Sequence, residues 1–342
     1  MASKKIKGLN KTALAALLLI VALGSCTTPM PYQRYEGLCW GTTFHLTYES
    51  NVKLDDSIQN VISMIDQSLS PFNENSTISR INTCKTDSTD ILFRRVFYES
   101  VRINEISKGA FDPTIAPAIN LWGFGPKGTI TCAPTDEQID SVMTTVGISE
   151  CYIDSSNHII KKTPLTEFNF SAIAKGFGCD MMAQMLERNG VKSYIIEIGG
   201  EITVKGKSPR GTSWRVMIDA PIPGNDTVIH EGMAVIDVDS CAVATSGNYR
   251  NYNSVDSINV FGHTMNPQTG RPAQSSMLSA TIIAPTCMLA DALATACMAM
   301  PLDSAIAMID SMPEVDALFV TQMGKDGKWM VHTTSRFPAI HR

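Results

Sequence analysis

Asp291 and Thr295 are the polar pair of an otherwise apolar run, Met288-Leu-Ala-Asp-Ala-Leu-Ala-Thr-Ala296. Four residues apart on a helix, they leave the same face one turn from each other. The neighbours are Ala, Leu, Met and Cys, so the helix is expected to be buried. A buried carboxylate must be paired, hydrogen-bonded or bound to a cation, or else it protonates. No Lys or Arg lies within a turn of Asp291. Two hard oxygens at this spacing suit Mg²⁺, which takes a few oxygen ligands and keeps positions for water or phosphate. The same pair also fits a plain buried helix, with Asp291 bonded to backbone and Thr295 bonding back to its own turn. On this helix alone the plainer reading is the better one.

Other segments carry weaker signals. In Phe168-Asn-Phe-Ser-Ala-Ile-Ala-Lys-Gly-Phe177 a polar turn leads into a helix near Lys175. Free N–H groups at a helix start favour phosphate, and Lys175 adds a positive charge; a capped helix with a solvated Lys is the alternative. Two Gly separate Glu197 from Glu201 at a strand end, which permits close backbone approach or simply a turn. Ala244-Thr-Ser-Gly-Asn-Tyr-Arg250 is a small-residue turn of the kind whose N–H groups bind anions, although Arg250 could equally pair with a carboxylate. His263 precedes an Asn-Pro turn and could act as a general base, where a structural His is the commoner case. Leu121-Trp-Gly-Phe-Gly-Pro126 offers aromatics that could wall a planar ligand or fill a core.

The elements that must hold these groups follow from periodicity. Helices are expected over 54–69, 91–107, 135–146, 174–189, 288–299 and 303–311, and short β-rich strands over 44–48, 193–198, 201–206, 214–219, 233–238, 241–245, 279–284, 317–321 and 329–332. A hairpin is expected across 151–161, and residues 109–130 read as a loop shaping a site. Blocks of strands beside blocks of helices imply an α+β fold with mainly antiparallel sheets.

Residues 1–25 read as a leader: a basic start at Lys4, Lys5, Lys7 and Lys11, an apolar run from Ala13 to Leu23, then Leu-Gly-Ser-Cys26. The last four resemble a bacterial lipobox, in which cleavage precedes a Cys and lipid is attached to its thiol. Cys26 is therefore the expected lipidation site, residues 26–36 a polar tether, and 37–335 the folded domain. The implied location is exported and lipid-anchored, on the periplasmic or cell-surface side of a bacterial membrane. Loss of the leader removes four Lys and no acid, taking the net charge from −5 to −9. That excess of acid argues against nucleic acid as a partner. The remaining eight Cys include no Cys-x-x-Cys pair and no zinc spacing, and read as small core residues.

Taken in order, Gly41-Thr-Thr-Phe44, Ser70-Pro-Phe72 with Ser79-Arg-Ile-Asn82, Gly109-Ala-Phe-Asp-Pro-Thr114, Asn120-Leu-Trp-Gly-Phe124, Ser171-Ala-Ile-Ala-Lys-Gly176, Glu197-Ile-Gly-Gly-Glu201, Ala244 through Arg250, His263 through Gly270 and Ala290-Asp-Ala-Leu-Ala-Thr295 resemble the motifs of the ApbE-type FAD:protein FMN transferases. The resemblance covers about residues 37–335. It implies a T-fold-like ApbE architecture, with FAD as substrate and Mg²⁺ as cofactor. The FMN half of FAD would pass to a Thr or Ser hydroxyl of an acceptor redox protein, with release of AMP. By motif, Asp291, Thr295 and the Ala172 carbonyl would hold the metal. Trp40, Ala110, Phe111, Asp112, Asn169, Lys175 and Met265 would contact FAD, and His263 would be the base. An Mg²⁺-dependent FAD pyrophosphatase and a non-catalytic flavin-binding lipoprotein are the competing functions. The chain departs from the family pattern at three positions: Trp40 stands where Met is usual, and Asn169 and Asn266 stand where Asp is usual.

Overall fold

The computed structural model describes residues 30–125, 128, 130, 132–222, 232–247, 252–254, 260–262, 264–323 and 328–341. The leader, Cys26 and His263 lie outside the described residues, as does the end of the 244–250 turn. The chain opens with a hairpin, β1 (Tyr32–Cys39) and β2 (Thr42–Glu49). The first strand begins inside the stretch read as a tether over 26–36. Its polar composition marks an edge strand, whose outward side chains face water, rather than an unstructured link.

Helix α1 (Asp55–Leu69) carries Asp55 and Asp56 in its first turn and ends at Ser70, ahead of Pro71. After α2 (Thr77–Asn82) comes α3 (Ile91–Ile106), capped by Asp90, whose side chain accepts from the N–H of Leu92 and of Phe93, both at 2.8 Å. The region read as a loop over 109–130 contains a short helix, α4 (Ala116–Leu121). Helix α5 (Asp136–Met143) starts at a capping box of Thr135 and Gln138. The small hairpin β3 (Tyr152–Ile153) and β4 (Ile159–Ile160) precedes α6 (Ala174–Arg188).

The second half begins with β5 (Tyr194–Ile198), β6 (Glu201–Lys205), β7 (Trp214–Asp219), β8 (Gly232–Val238) and β9 (Cys241–Gly247). Two small pairs follow, β10 (Tyr252–Ser254) with β11 (Val260–Gly262) and β12 (Met265–Asn266) with β13 (Arg271–Pro272). The chain closes with β14 (Met277–Ala284), α7 (Cys287–Met298), α8 (Leu302–Asp310), β15 (Asp316–Met323), β16 (Lys328–Thr333) and β17 (Ile340–His341).

Eight strands form one antiparallel sheet in the order β1-β2-β5-β6-β9-β14-β15-β16, and β17-β8-β7 form a second. Alternation along the central strands sends Ile196 and Ile198 to a large core shared with α1, α3, α6 and α7, while Ile195 packs on the other face. That other face meets the three-stranded sheet through Val204, Val243, Leu318 and Val320 against Val216, Ile218 and Ile236. A satellite core of Ile115, Trp122, Ile139 and Met265 sits beside these layers. The expected α+β architecture with antiparallel sheets is the one observed. No helix of the described residues is long and apolar enough to cross a membrane.

Candidate active site

The site forms where the start of α6 meets the first turns of α7. Gly176 makes the meeting possible: a Cβ there would lie 2.2 Å from the Cys287 carbonyl oxygen and 2.8 Å from Asp291 Cβ. The Gly176 N–H is donated to Asp291 Oδ2 at 2.9 Å. In a regular helix that N–H would go back four residues to the Ala172 carbonyl. Among the described residues no backbone N–H is donated to that carbonyl, whereas Phe177 N–H does reach Ile173 O in the next step, at 3.0 Å. The Ala172 carbonyl in the turn before α6 therefore takes no backbone donor among the described residues. One turn along α7, Thr295 Oγ1 lies 3.2 Å from Ser246 Oγ at the end of β9.

Lys175 lies between two buried carboxylates. Its ammonium is 2.6 Å from Glu201 Oε1 and 3.9 Å from Asp291 Oδ1. The partner absent from the sequence around Asp291 is thus supplied by another helix. Burial pushes Asp291 above the usual carboxylate range, opposed by Lys175 and by the Gly176 N–H. Burial raises Glu201 to about 7, with the Asp291 charge adding to the rise and Lys175 opposing it. Burial alone would pull Lys175 down, but Asp291 and Glu201 push it above its ordinary value and keep it protonated.

Asp180, one turn further along α6, ties the two helices again. Its Oδ1 accepts from Cys287 N–H at 2.8 Å and its Oδ2 from Met288 N–H at 2.9 Å. It therefore caps the start of α7 from outside that helix, beside the Thr286 hydroxyl, which accepts from Leu289 N–H at 3.4 Å. Burial raises Asp180 to about 6 against these two donors. Sequence reading missed both Asp180 and the pairing of Glu201 with Lys175. Glu201 was visible only as part of the Gly-Gly turn, and Asp180 had no signal, since its partners are more than a hundred residues away.

Trp40 occupies the hairpin turn between β1 and β2, with φ +49° followed by +78° at Gly41. Positive φ at both central residues is the twist that two-residue hairpins need, and Trp is an unusual occupant. Its ring packs onto α6 at Gly178, where a Cβ would come within 2.6 Å of it. The indole Nε1–H is buried and has no acceptor among the described residues.

The remaining predicted contacts shape the surrounding loops. Asp112 Oδ1 accepts from Thr114 N–H at 2.8 Å and Thr114 Oγ1–H at 2.6 Å, and its Oδ2 from Ile148 N–H at 3.0 Å. Phe111 is buried in the main core and its N–H reaches Ser107 Oγ at 3.0 Å, with Ala110 buried beside it. Met265 is buried in the satellite core. Gln268 Nε2 donates to the Lys108 carbonyl at 3.0 Å, which joins the Met265 turn to the 109–112 loop. Asn169 N–H donates to Pro113 O at 2.8 Å, which joins that loop to the segment entering α6. Asn169 Oδ1 accepts from Ser171 N–H and Asn266 Oδ1 from Gln268 N–H, both at 2.8 Å. These two turns need one acceptor oxygen, which Asn supplies as well as Asp does, so both departures keep the local backbone.

Asp291, Thr295 and the Ala172 carbonyl are hard oxygen donors, which matches Mg²⁺ and not a softer metal. No group of three His, Cys, Asp or Glu able to hold a metal occurs among the described residues. The open Ala172 carbonyl and the singly bonded Asp291 carboxylate fit an oxygen-bound divalent ion.

The ApbE family sequence profile matches residues 40–319. The chain belongs to the ApbE family. It is 34% identical over 310 residues to the FAD:protein FMN transferase of Vibrio cholerae serotype O1, covering 87% of this chain and 90% of that protein. The Haemophilus influenzae FAD:protein FMN transferase is 32% identical over 309 residues, covering 86% of this chain and 88% of the relative. Among solved structures, the flavin transferase ApbE from Vibrio cholerae superposes with a TM-score of 0.80 at 30% identity, over 90% of this chain and 99% of that one. The apo flavinyl transferase ApbE of Pseudomonas stutzeri gives 0.78 at 26% identity, over 90% and 95%.

Proposed function

We propose that this ApbE protein transfers the FMN half of FAD to a Thr or Ser hydroxyl of an acceptor protein and releases AMP. The observation that carries the reading is the Asp291 carboxylate, buried at the mouth of α6 with Lys175 beside it, in a chain that matches flavin transferases along most of its length. The Lys175 ammonium at the start of α6 suits the diphosphate of FAD. Bound Mg²⁺ would neutralise phosphate charge there, with Asp291, Thr295 and the Ala172 carbonyl as its protein ligands.

The acceptor oxygen forms a bond to the phosphorus of the FMN half, and the bond from that phosphorus to the bridging oxygen breaks. The bridging oxygen and its electron pair leave with AMP. His263 takes the acceptor proton. Lys175 balances charge on the diphosphate, and the Trp40 ring closes the site over α6. The Cys26 lipid anchor and an exported location rest on the leader motif alone.

Incubation with FAD, Mg²⁺ and an acceptor domain, followed by intact-mass measurement, tests the reading. An FMN-sized gain on the acceptor with stoichiometric AMP is expected. AMP release without the gain would mean hydrolysis, and FAD retention with neither product would mean a binding protein.

A further inference from the structure

Glu201 has no role among the residues that hold FAD or metal, yet it is 3% exposed and lies within 2.6 Å of Lys175 Nζ. Its other oxygen, Oε2, is buried and has no donor among the described residues. The charge of Glu201 is therefore compensated chiefly by Lys175. Lys175 stands closer to Glu201 than to Asp291, at 2.6 Å against 3.9 Å. Asp291 Oδ2 is occupied by the Gly176 N–H, while Oδ1, the oxygen facing Lys175, takes no hydrogen bond among the described residues. An ammonium free to move would settle on that oxygen and compete with any cation brought to it.

Resting on the flavin-transferase reading, we propose that Glu201 is a positioning residue that holds the Lys175 ammonium away from Asp291 Oδ1 and so keeps that oxygen open to the divalent metal. The arrangement gives one lysine two faces. It stays near enough to meet an anionic diphosphate and is restrained from quenching the metal ligand. Without the Glu201 charge, Lys175 becomes the nearest counter-ion of Asp291, and metal must displace it. Loss of the same negative charge leaves the region no less attractive to an anion. Metal and FAD affinities therefore move in different directions, which a general loosening of the fold would not produce.

The test uses the full chain at about pH 8, above the titration of Glu201 near 7. Mn²⁺, as a paramagnetic stand-in for Mg²⁺, is titrated alone and followed by electron paramagnetic resonance. FAD is titrated separately in EDTA and followed by flavin fluorescence. For Glu201→Gln, Mn²⁺ affinity is expected to fall about tenfold, while metal-free FAD affinity holds or rises. Glu201→Asp, which keeps the charge, is expected to recover most of the Mn²⁺ affinity. Lys175→Met with Glu201→Gln removes the competing cation and is expected to bind Mn²⁺ within about threefold of wild type. Wild-type Mn²⁺ affinity in Glu201→Gln, or a double variant no better than that single one, would overturn the role of Glu201 while leaving the metal site standing. Equal weakening of Mn²⁺ and FAD in Glu201→Gln would also overturn it. If Glu201→Gln does not fold, Lys175→Met alone decides: Mn²⁺ binding within about threefold of wild type supports the restraint, and binding tightened about tenfold or more, which would mean that the lysine already competes for Asp291 Oδ1 in the wild type, overturns it. Failure of the wild-type chain to bind Mn²⁺ at all would remove the metal site and this role together.

Discussion

The Gly176 N–H points at Asp291 Oδ2, 2.9 Å away, instead of at the Ala172 carbonyl of its own turn. One hydrogen bond thereby anchors a buried carboxylate and leaves the Ala172 carbonyl without its helical donor among the described residues. The glycine is needed for contact as well as direction, because a methyl group there would strike the Cys287 carbonyl. Gly176→Ala is expected to cost about 1–3 kcal/mol of stability and to remove transferase activity. Thermal unfolding and AMP release measured on the same preparation check both, and a variant retaining full activity would contradict the close packing of α6 on α7.

Asp291→Asn keeps an oxygen for the Gly176 N–H but loses the charge. It is expected to unfold within about 1 kcal/mol of wild type, since removal of a buried charge offsets the weaker bond. Turnover is expected to fall by roughly a hundredfold or more. FAD binding in EDTA should persist. Chemical denaturation, a turnover assay and a fluorescence titration separate these effects.

Asp180 caps α7 with both oxygens and is raised to about 6 by burial. Between the ordinary carboxylate value near 4 and about 6, the folded chain holds a proton that the unfolded chain releases. This group therefore favours folding at the acid end of that window, and its contribution is lost as pH rises through about 6. Arg95 and Glu99 on α3 act on the same carboxylate with opposite signs. Asp180→Asn is expected to lower stability by about 1 kcal/mol through the lost acceptor. The gap from wild type should be wider at about pH 4.5 than at about pH 7.5. Unfolding curves at the two pH values check the sign.

The Trp40 indole carries a buried donor with no acceptor among the described residues. Such a group costs about 1–3 kcal/mol while it stays unpaired. Trp40→Phe keeps an aromatic ring over Gly178 and removes that donor. Stability is expected to hold or rise, while FAD affinity falls several-fold, toward a loss of about 1 kcal/mol. Parallel loss of both would show that Trp40 serves packing alone.

Asp112 lies in the motif assigned to the flavin, but its oxygens are committed to Thr114 and Ile148. Asp112→Ala is expected to cost about 2–4 kcal/mol, through three unpaired buried donors. Any loss of FAD affinity should track the loss of folded protein. Affinity measured on the folded fraction checks this.

Local signals carried most of the fold. The capping box at Thr135, the Gly after the helix ending near Asn189 and the apolar period of 288–299 all lie within one element, so the residues that define each boundary are neighbours in sequence. The site was legible only as separate pieces. Asp291 carried no sign of Lys175, and Lys175 carried none of Glu201, because these contacts join α7, α6 and β6. The edge strand from Tyr32 was hidden by its polar faces, which in sequence look like linker. Asp180 looked like an ordinary helical acid, and only the arrival of α7 made it a cap.

Strand β1 also works as a ruler. Its first residue, Tyr32, is six positions beyond Cys26, and its last meets the Trp40 turn that lies on α6. Eight residues at about 3.3 Å each separate the two ends by about 25 Å. The preceding stretch from Cys26 adds at most about 20 Å when fully extended. A chain held by lipid at Cys26 would carry its Trp40 turn no more than about 45 Å above the bilayer. Its acceptors would then be proteins whose flavin-bearing loops project to that height, with reach deciding selection alongside sequence.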